Sequence, residues 1–86
     1  MDAPPDLRQL EEVARRLAIP VRYEPGDMRG GLCRLGRQWQ IIVNADLDAE
    51  EKAEVLAESL AQAPFDTVFV PPRIRDVLER LRERQP

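Results

Sequence analysis

One cysteine and no histidine deny this chain of 86 residues the usual internal staples. It can form no disulfide within itself, no cysteine cluster for zinc or iron–sulfur, and no zinc site of the H-E-x-x-H kind. A chain this short buries only about 60% of the surface it exposes when unfolded, so its margin of stability is thin. What holds it must be one compact apolar core or a partner chain. Four aromatics, Tyr23, Trp39, Phe65 and Phe69, are available to that core. It must therefore be built mainly from Leu, Ile, Val and Ala.

The same absences remove whole classes of function. There can be no Ser-His-Asp triad, no Cys-His dyad and no imidazole pH switch. With 43% hydrophobic and 34% charged residues, the composition is that of one small soluble domain spanning 1–86. No apolar run approaches the length of a membrane span, and the start Met-Asp-Ala-Pro-Pro does not read as a signal peptide. A single free cysteine suits a reducing compartment, so a cytoplasmic protein is expected.

Periodicity orders the chain as α-β-β-β-α-(β)-α. Asp6 and Gln9 form a capping-box pattern before Leu7, Leu10, Val13, Ala14 and Leu17, which share one helical face until Pro20 stops the helix. Val21 and Tyr23 alternate with Arg22 and Glu24 as an edge strand, and Pro25-Gly26-Asp27 is a turn. Leu32–Leu35 and Gln38–Val43 flank Gly36-Arg37 as a hairpin, with Trp39, Ile41 and Val43 on one face. Asp48 and Glu51 repeat the capping pattern for a helix over 49–63. Its residues Ala49, Ala53, Leu56, Ala57, Leu60 and Ala61 face inward, small enough to let it approach the sheet closely. Thr67–Val70 is a fourth strand or an extended core segment. Pro71-Pro72 opens a helix carrying Ile74, Val77, Leu78 and Leu81 on one face. The expectation is an α+β domain: a small antiparallel sheet packed by three helices, with 1–5 and 84–86 flexible.

Charge is distributed unevenly: residues 1–40 carry net +1, residues 41–66 net −6 and residues 67–86 net +2. The acidic middle disfavours nucleic acid, whose phosphates need a basic surface. Arg29, Arg34, Arg37, Arg73 and Arg75 form a candidate interaction surface. Cys33 lacks a histidine base and reads as a small core-facing residue. Gly30-Gly31 has neither nucleotide-binding glycine spacing and reads as a bulge or a positive-φ loop. Asp46, Asp48, Glu50 and Glu51 lack the EF-hand spacing and read as helix-capping charge. Trp39 reads as core packing against a helix.

The stretch from Gln40 to Glu51, with Val55-Leu56-Ala57-Glu58-Ser59-Leu60-Ala61-Gln62 after it, resembles a region of the ImmA/IrrE-type zinc peptidases. In that family a strand ends in Asn, an acidic capped turn follows, and a helix carries T-L-A-H-E-L-G-H. The resemblance covers about residues 7–63. It puts Glu58 at the first metal-ligand position, Ser59 at the general-base position and Gln62 at the second ligand position. Zinc hydrolysis needs two imidazoles and a carboxylate there, so the resemblance implies a degenerate, metal-free scaffold. Gly-Gly-Leu-Cys and Val-Pro-Pro are also similar to segments of short bacterial proteins of unknown function.

Together these readings favour a non-catalytic interaction or regulatory module without cofactor or metal. Its partner is another protein or a second copy, met through an edge strand such as Val21–Glu24 or Leu32–Leu35. The alternatives are an enzyme using carboxylates or Cys33, and a nucleic-acid binder using arginine.

Overall fold

Each helix begins where side-chain chemistry asks it to. Asp6 caps α1 (Leu7–Arg16): its carboxylate accepts from the Gln9 N–H at 2.8 Å, and the Gln9 side chain accepts from the Asp6 N–H at 3.0 Å. Asp48 caps α2 (Ala49–Ala61), accepting from the Glu51 N–H at 2.8 Å. Helix α3 (Pro72–Arg84) opens on a proline, which has no N–H to leave unpaired, and the Pro71 carbonyl accepts from the Ile74 and Arg75 N–H groups, each at 2.9 Å. The computed structural model describes residues 5–84. Positions 1–4 and 85–86, the bulk of the ends expected to be flexible, lie outside that range. Of the remaining two, Pro5 is buried and Arg84 closes α3.

Helix α1 ends in a Schellman motif with an unusual residue in its key position. The Ile19 N–H reaches back to the Ala14 carbonyl at 2.9 Å and the Ala18 N–H to the Arg15 carbonyl at 3.0 Å. That closure puts Ala18 at φ 58°, left-handed backbone that glycine enters freely and alanine does not. Ala18→Gly is therefore expected to stabilise the fold by about 0.5–1 kcal/mol, raising the thermal midpoint by a few degrees in a calorimetric scan. An unchanged or lower midpoint would mean that the site carries no strain.

Among the described residues three strands form one open sheet in the order β1-β3-β2, with β1 Val21–Glu24, β2 Gly30–Leu35 and β3 Gln38–Asn44. The hairpin is as expected. Leu35 faces Gln38 across a two-residue loop, and Gly36 at φ 63° supplies the positive φ that a tight hairpin turn needs. Strand β1, however, lies beside β3 and parallel to it, with Val21 opposite Ile41 and Tyr23 opposite Val43. The sheet is thus mixed, not antiparallel throughout.

The reason lies at the end of β3. The Ala45 N–H donates to the Glu24 carbonyl at 2.9 Å and the Asn44 N–H to the Arg29 carbonyl at 3.1 Å. The chain leaving β1 therefore crosses the end of β3 and enters β2 on its far side. The Asn44 side chain pins this crossing. Its Nδ2 donates to the Gly26 carbonyl at 2.9 Å, and its Oδ1 accepts from the Asp46 N–H at 2.9 Å. Asn44→Ala is expected to cost about 1–3 kcal/mol in a denaturant titration, with faster amide exchange at Asp46. A stability change near zero would remove Asn44 from its place as the clamp.

Helix α2 packs on the sheet face that carries Ile41 and Val43, and α1 and α3 both pack on α2. Leu10, Val13, Leu56, Leu60, Phe65 and Leu78 belong to the same buried cluster, which is aliphatic apart from Phe65. The connection from α2 to α3 is a short 3₁₀ turn, Phe65–Thr67, followed by extended chain with Phe69 exposed and Val70 buried. The segment Thr67–Val70 is therefore not a fourth strand but a connection that contributes Val70 to the core. Arg16 of α1 ties it down, donating to the Phe69 carbonyl at 3.1 Å with its guanidinium 5.3 Å from the Phe69 ring centre. On the outer face of α1, hydrogen bonding from Arg15 and the charges of Arg15 and Arg16 hold the Glu12 carboxyl down at about 2.

Candidate functional site

Two residue rows run along α2 at four-residue spacing. Ala49, Ala53 and Ala57 form one, and Glu50, Glu54 and Glu58 form the other beside it. The alanines were expected to face inward, letting α2 approach the sheet. Ala57 does join the core, and all three line a groove of about 680 Å³ between α1 and α3, walled by Leu7 and Leu10 on one side and Val77 and Leu81 on the other. Ala49 is exposed, Ala53 half-buried and Ala57 buried, so the groove deepens along α2. Asp6, Glu50, Glu54 and Glu58 also line it and give it an acidic rim.

One arginine reaches this rim from the sheet. Arg29, just before β2, places its guanidinium 2.6 Å from a Glu58 oxygen and 3.5 Å from one of Glu54. The hydrogen bond to Glu58 and the neighbouring carboxylates push the arginine further toward its charged form. All three side chains are about half exposed, so the cluster orients the chains more than it stabilises the fold. At the opposite edge of the sheet, on β1, the Tyr23 hydroxyl donates to Glu11. Burial raises the Tyr23 pKa most, and that bond raises it further.

The three positions that resemble the peptidase motif have separate surroundings. Glu58 is engaged by Arg29 at the rim. Ser59 is buried and donates to the Val55 carbonyl at 2.8 Å, inside its own helix. Gln62 is exposed and caps the C-terminus of α2 through its backbone N–H. Among the described residues no group of three or more histidines, cysteines, aspartates or glutamates is placed to hold a metal.

The five candidate arginines fall into three separate settings. Arg29 belongs to the groove rim. Arg34 lies just before the hairpin turn and Arg37 within it, at the far end of β2 from Arg29. Arg75 pairs with Asp66 at 3.3 Å, and Arg73 sits near it in the first turn of α3.

The hairpin tip also holds two corrections. Trp39 shares the strand face of Ile41 and Val43 but lies nearer the turn, and it is 45% exposed. It packs under the Arg34 guanidinium, 5.4 Å from the ring centre, and not in the core. Cys33 pairs with Gln40, a register that turns its side chain to the face away from Ile41 and Val43. There it is half-buried and not core-facing.

The groove was the part of the site that sequence reasoning missed. Its signal was present in the paired Ala and Glu rows. Periodicity reports that a face is apolar, but not which neighbour covers it. Compared with family models, curated proteins and solved structures, the chain matches none. No helix among the described residues is long and apolar enough to cross a membrane.

Proposed function

We propose that this chain is a non-catalytic protein-interaction module that receives a segment of a partner protein in the groove over α2. The observation that carries the reading is the groove itself. A small domain with a thin core leaves the Ala49 and Ala53 part of the row open between two helices, down to the buried Ala57, where a close-packed interior would fill the space. The positions resembling a peptidase helix support the same reading. The Glu58 side chain is engaged in an ion pair and the Ser59 side chain in a hydrogen bond within its own helix, while Gln62 sits at the helix end.

The rival is pairing through a sheet edge, since β1 and β2 are both edge strands. Filling the groove separates the two. Ala49→Trp alters an exposed position at its mouth, so it leaves the core in place while obstructing entry. Cross-linked capture from cell extract should recover a partner with the natural chain and lose it with Ala49→Trp. Trp39→Ala, at the hairpin tip, should keep it. A partner retained by the filled-groove variant, or no partner recovered at all, would sink this reading.

A further inference from the structure

We propose that the segment received by the groove is an amphipathic helix with basic residues flanking its apolar stripe; this rests on the groove being a docking site. The floor is a row of alanines, and small residues let a helix axis approach to the near end of the usual 8–10 Å packing range. The row from Ala49 to Ala57 is about 12 Å long, enough for two turns of a docked helix. Leu7 and Leu10 on one wall and Val77 and Leu81 on the other offer apolar contact to side chains at i, i+3, i+4 and i+7.

Charge selects among the helices that such a trough could take. Glu50, Glu54 and Glu58 stand at i, i+4, i+8 along α2, and Asp6, the N-cap of α1, also lines the groove. A docked helix with arginine or lysine at the same four-residue repeat meets this row in register, whereas an acidic helix or a fatty-acid carboxylate is repelled. Arg29 engages Glu54 and Glu58, so Glu50 and Asp6 are the rim carboxylates away from that arginine. A second copy is a poor occupant. Its own amphipathic helices bury Leu10, Val13, Ile74 and Leu78 in its own core, and their half-buried Leu7, Val77 and Leu81 already wall its own groove.

The test uses two short synthetic helices bearing a fluorescent label. Both carry leucine at i, i+3, i+4, i+7; one has arginine on the flanks, and the other has glutamate at the same places. Fluorescence anisotropy with the full chain should show the basic peptide binding about tenfold or more tightly than the acidic one, with the difference shrinking as salt rises. Ala49→Trp and Ala53→Trp should each weaken the basic peptide by about tenfold, and Glu50→Lys should reduce the preference for it. Circular dichroism checks that each variant folds, and Ala49→Trp, at an exposed position, remains informative if Ala53→Trp does not fold. Amide shifts on titration should map to the start of α1, the alanine face of α2 and Val77–Leu81.

Equal binding of both peptides, or basic-peptide binding that Ala49→Trp leaves intact, would overturn the inference. Sedimentation showing a dimer that Ala49→Trp dissolves would also overturn it, by making the occupant a second copy. If neither peptide binds while groove-dependent capture from extract persists, the basic helix is wrong and the docking site stands. If capture is also lost, both fall.

Discussion

Alanine at position 30 is expected to cost this fold about 3–5 kcal/mol, the sum of a strained backbone and a steric overlap. Gly30 sits at φ +123°, where side-chain-bearing residues rarely go. A Cβ built there would stand 2.2 Å from the Ile42 carbonyl oxygen and 3.0 Å from the Val43 Cα. Both atoms are backbone of the central strand, so neither can swing aside as a side-chain tip can. The entire stability of an 86-residue domain is about 4–13 kcal/mol. Gly30→Ala should therefore shift the urea midpoint strongly downward and lower the yield of folded protein. A loss below about 1 kcal/mol would show that β2 slides to make room, and the register Gly30 opposite Val43 would need revision.

Truncating Phe65 should have an effect of similar size by a different route. Its ring is fully buried, the largest side chain in the core and the one aromatic in a cluster of aliphatic residues. Phe65→Ala is expected to cost about 3–5 kcal/mol, part from lost transfer energy and part from the cavity left behind. Phe65→Leu keeps most of the volume and should cost clearly less. The Arg82 guanidinium lies 3.9 Å from the ring centre but is also drawn to Asp66 at 3.1 Å and is partly exposed, so Arg82→Ala should cost about 1 kcal/mol at most. A urea titration of these variants decides the matter. If Phe65→Ala and Arg82→Ala cost the same, the residue acts through its cation contact and not through burial. Because Phe65 begins the link between α2 and α3, its loss should also loosen the wall formed by Val77 and Leu81 and weaken binding in the groove.

What was legible in the sequence is what depends on neighbours along the chain. Asp6 with Gln9, Asp48 with Glu51 and proline at the start of α3 set the helix starts, because a cap is a contact across three residues. Gly36 set the hairpin for the same reason. The expectations that failed concern distant partners. Trp39 alternates correctly with Ile41 and Val43, yet the cover over that face does not bury it at the hairpin end. Cys33 looks like any small core residue until register places it on the opposite face.

The candidate site divides along the same line. The lack of histidine and the single cysteine were enough to exclude histidine-dependent triads and dyads, the H-E-x-x-H zinc site and cysteine-cluster metal sites, since those exclusions need only residue types. The paired Ala and Glu rows were readable as helical periodicity. Whether the alanines met the sheet or a void depended on where α1 and α3 came to rest.

By itself, then, the sequence determined the α+β class, the order of the elements, most of their caps and turns, and the aliphatic character of the core. These follow from backbone preferences and apolar spacing, which act over a few residues. Only the tertiary structure decided that β1 runs parallel beside β3, through a crossing held by Asn44, and that the alanine row of α2 opens into an acidic-rimmed groove. Both are choices among neighbours equally apolar, and they are settled by how the whole chain closes around its core.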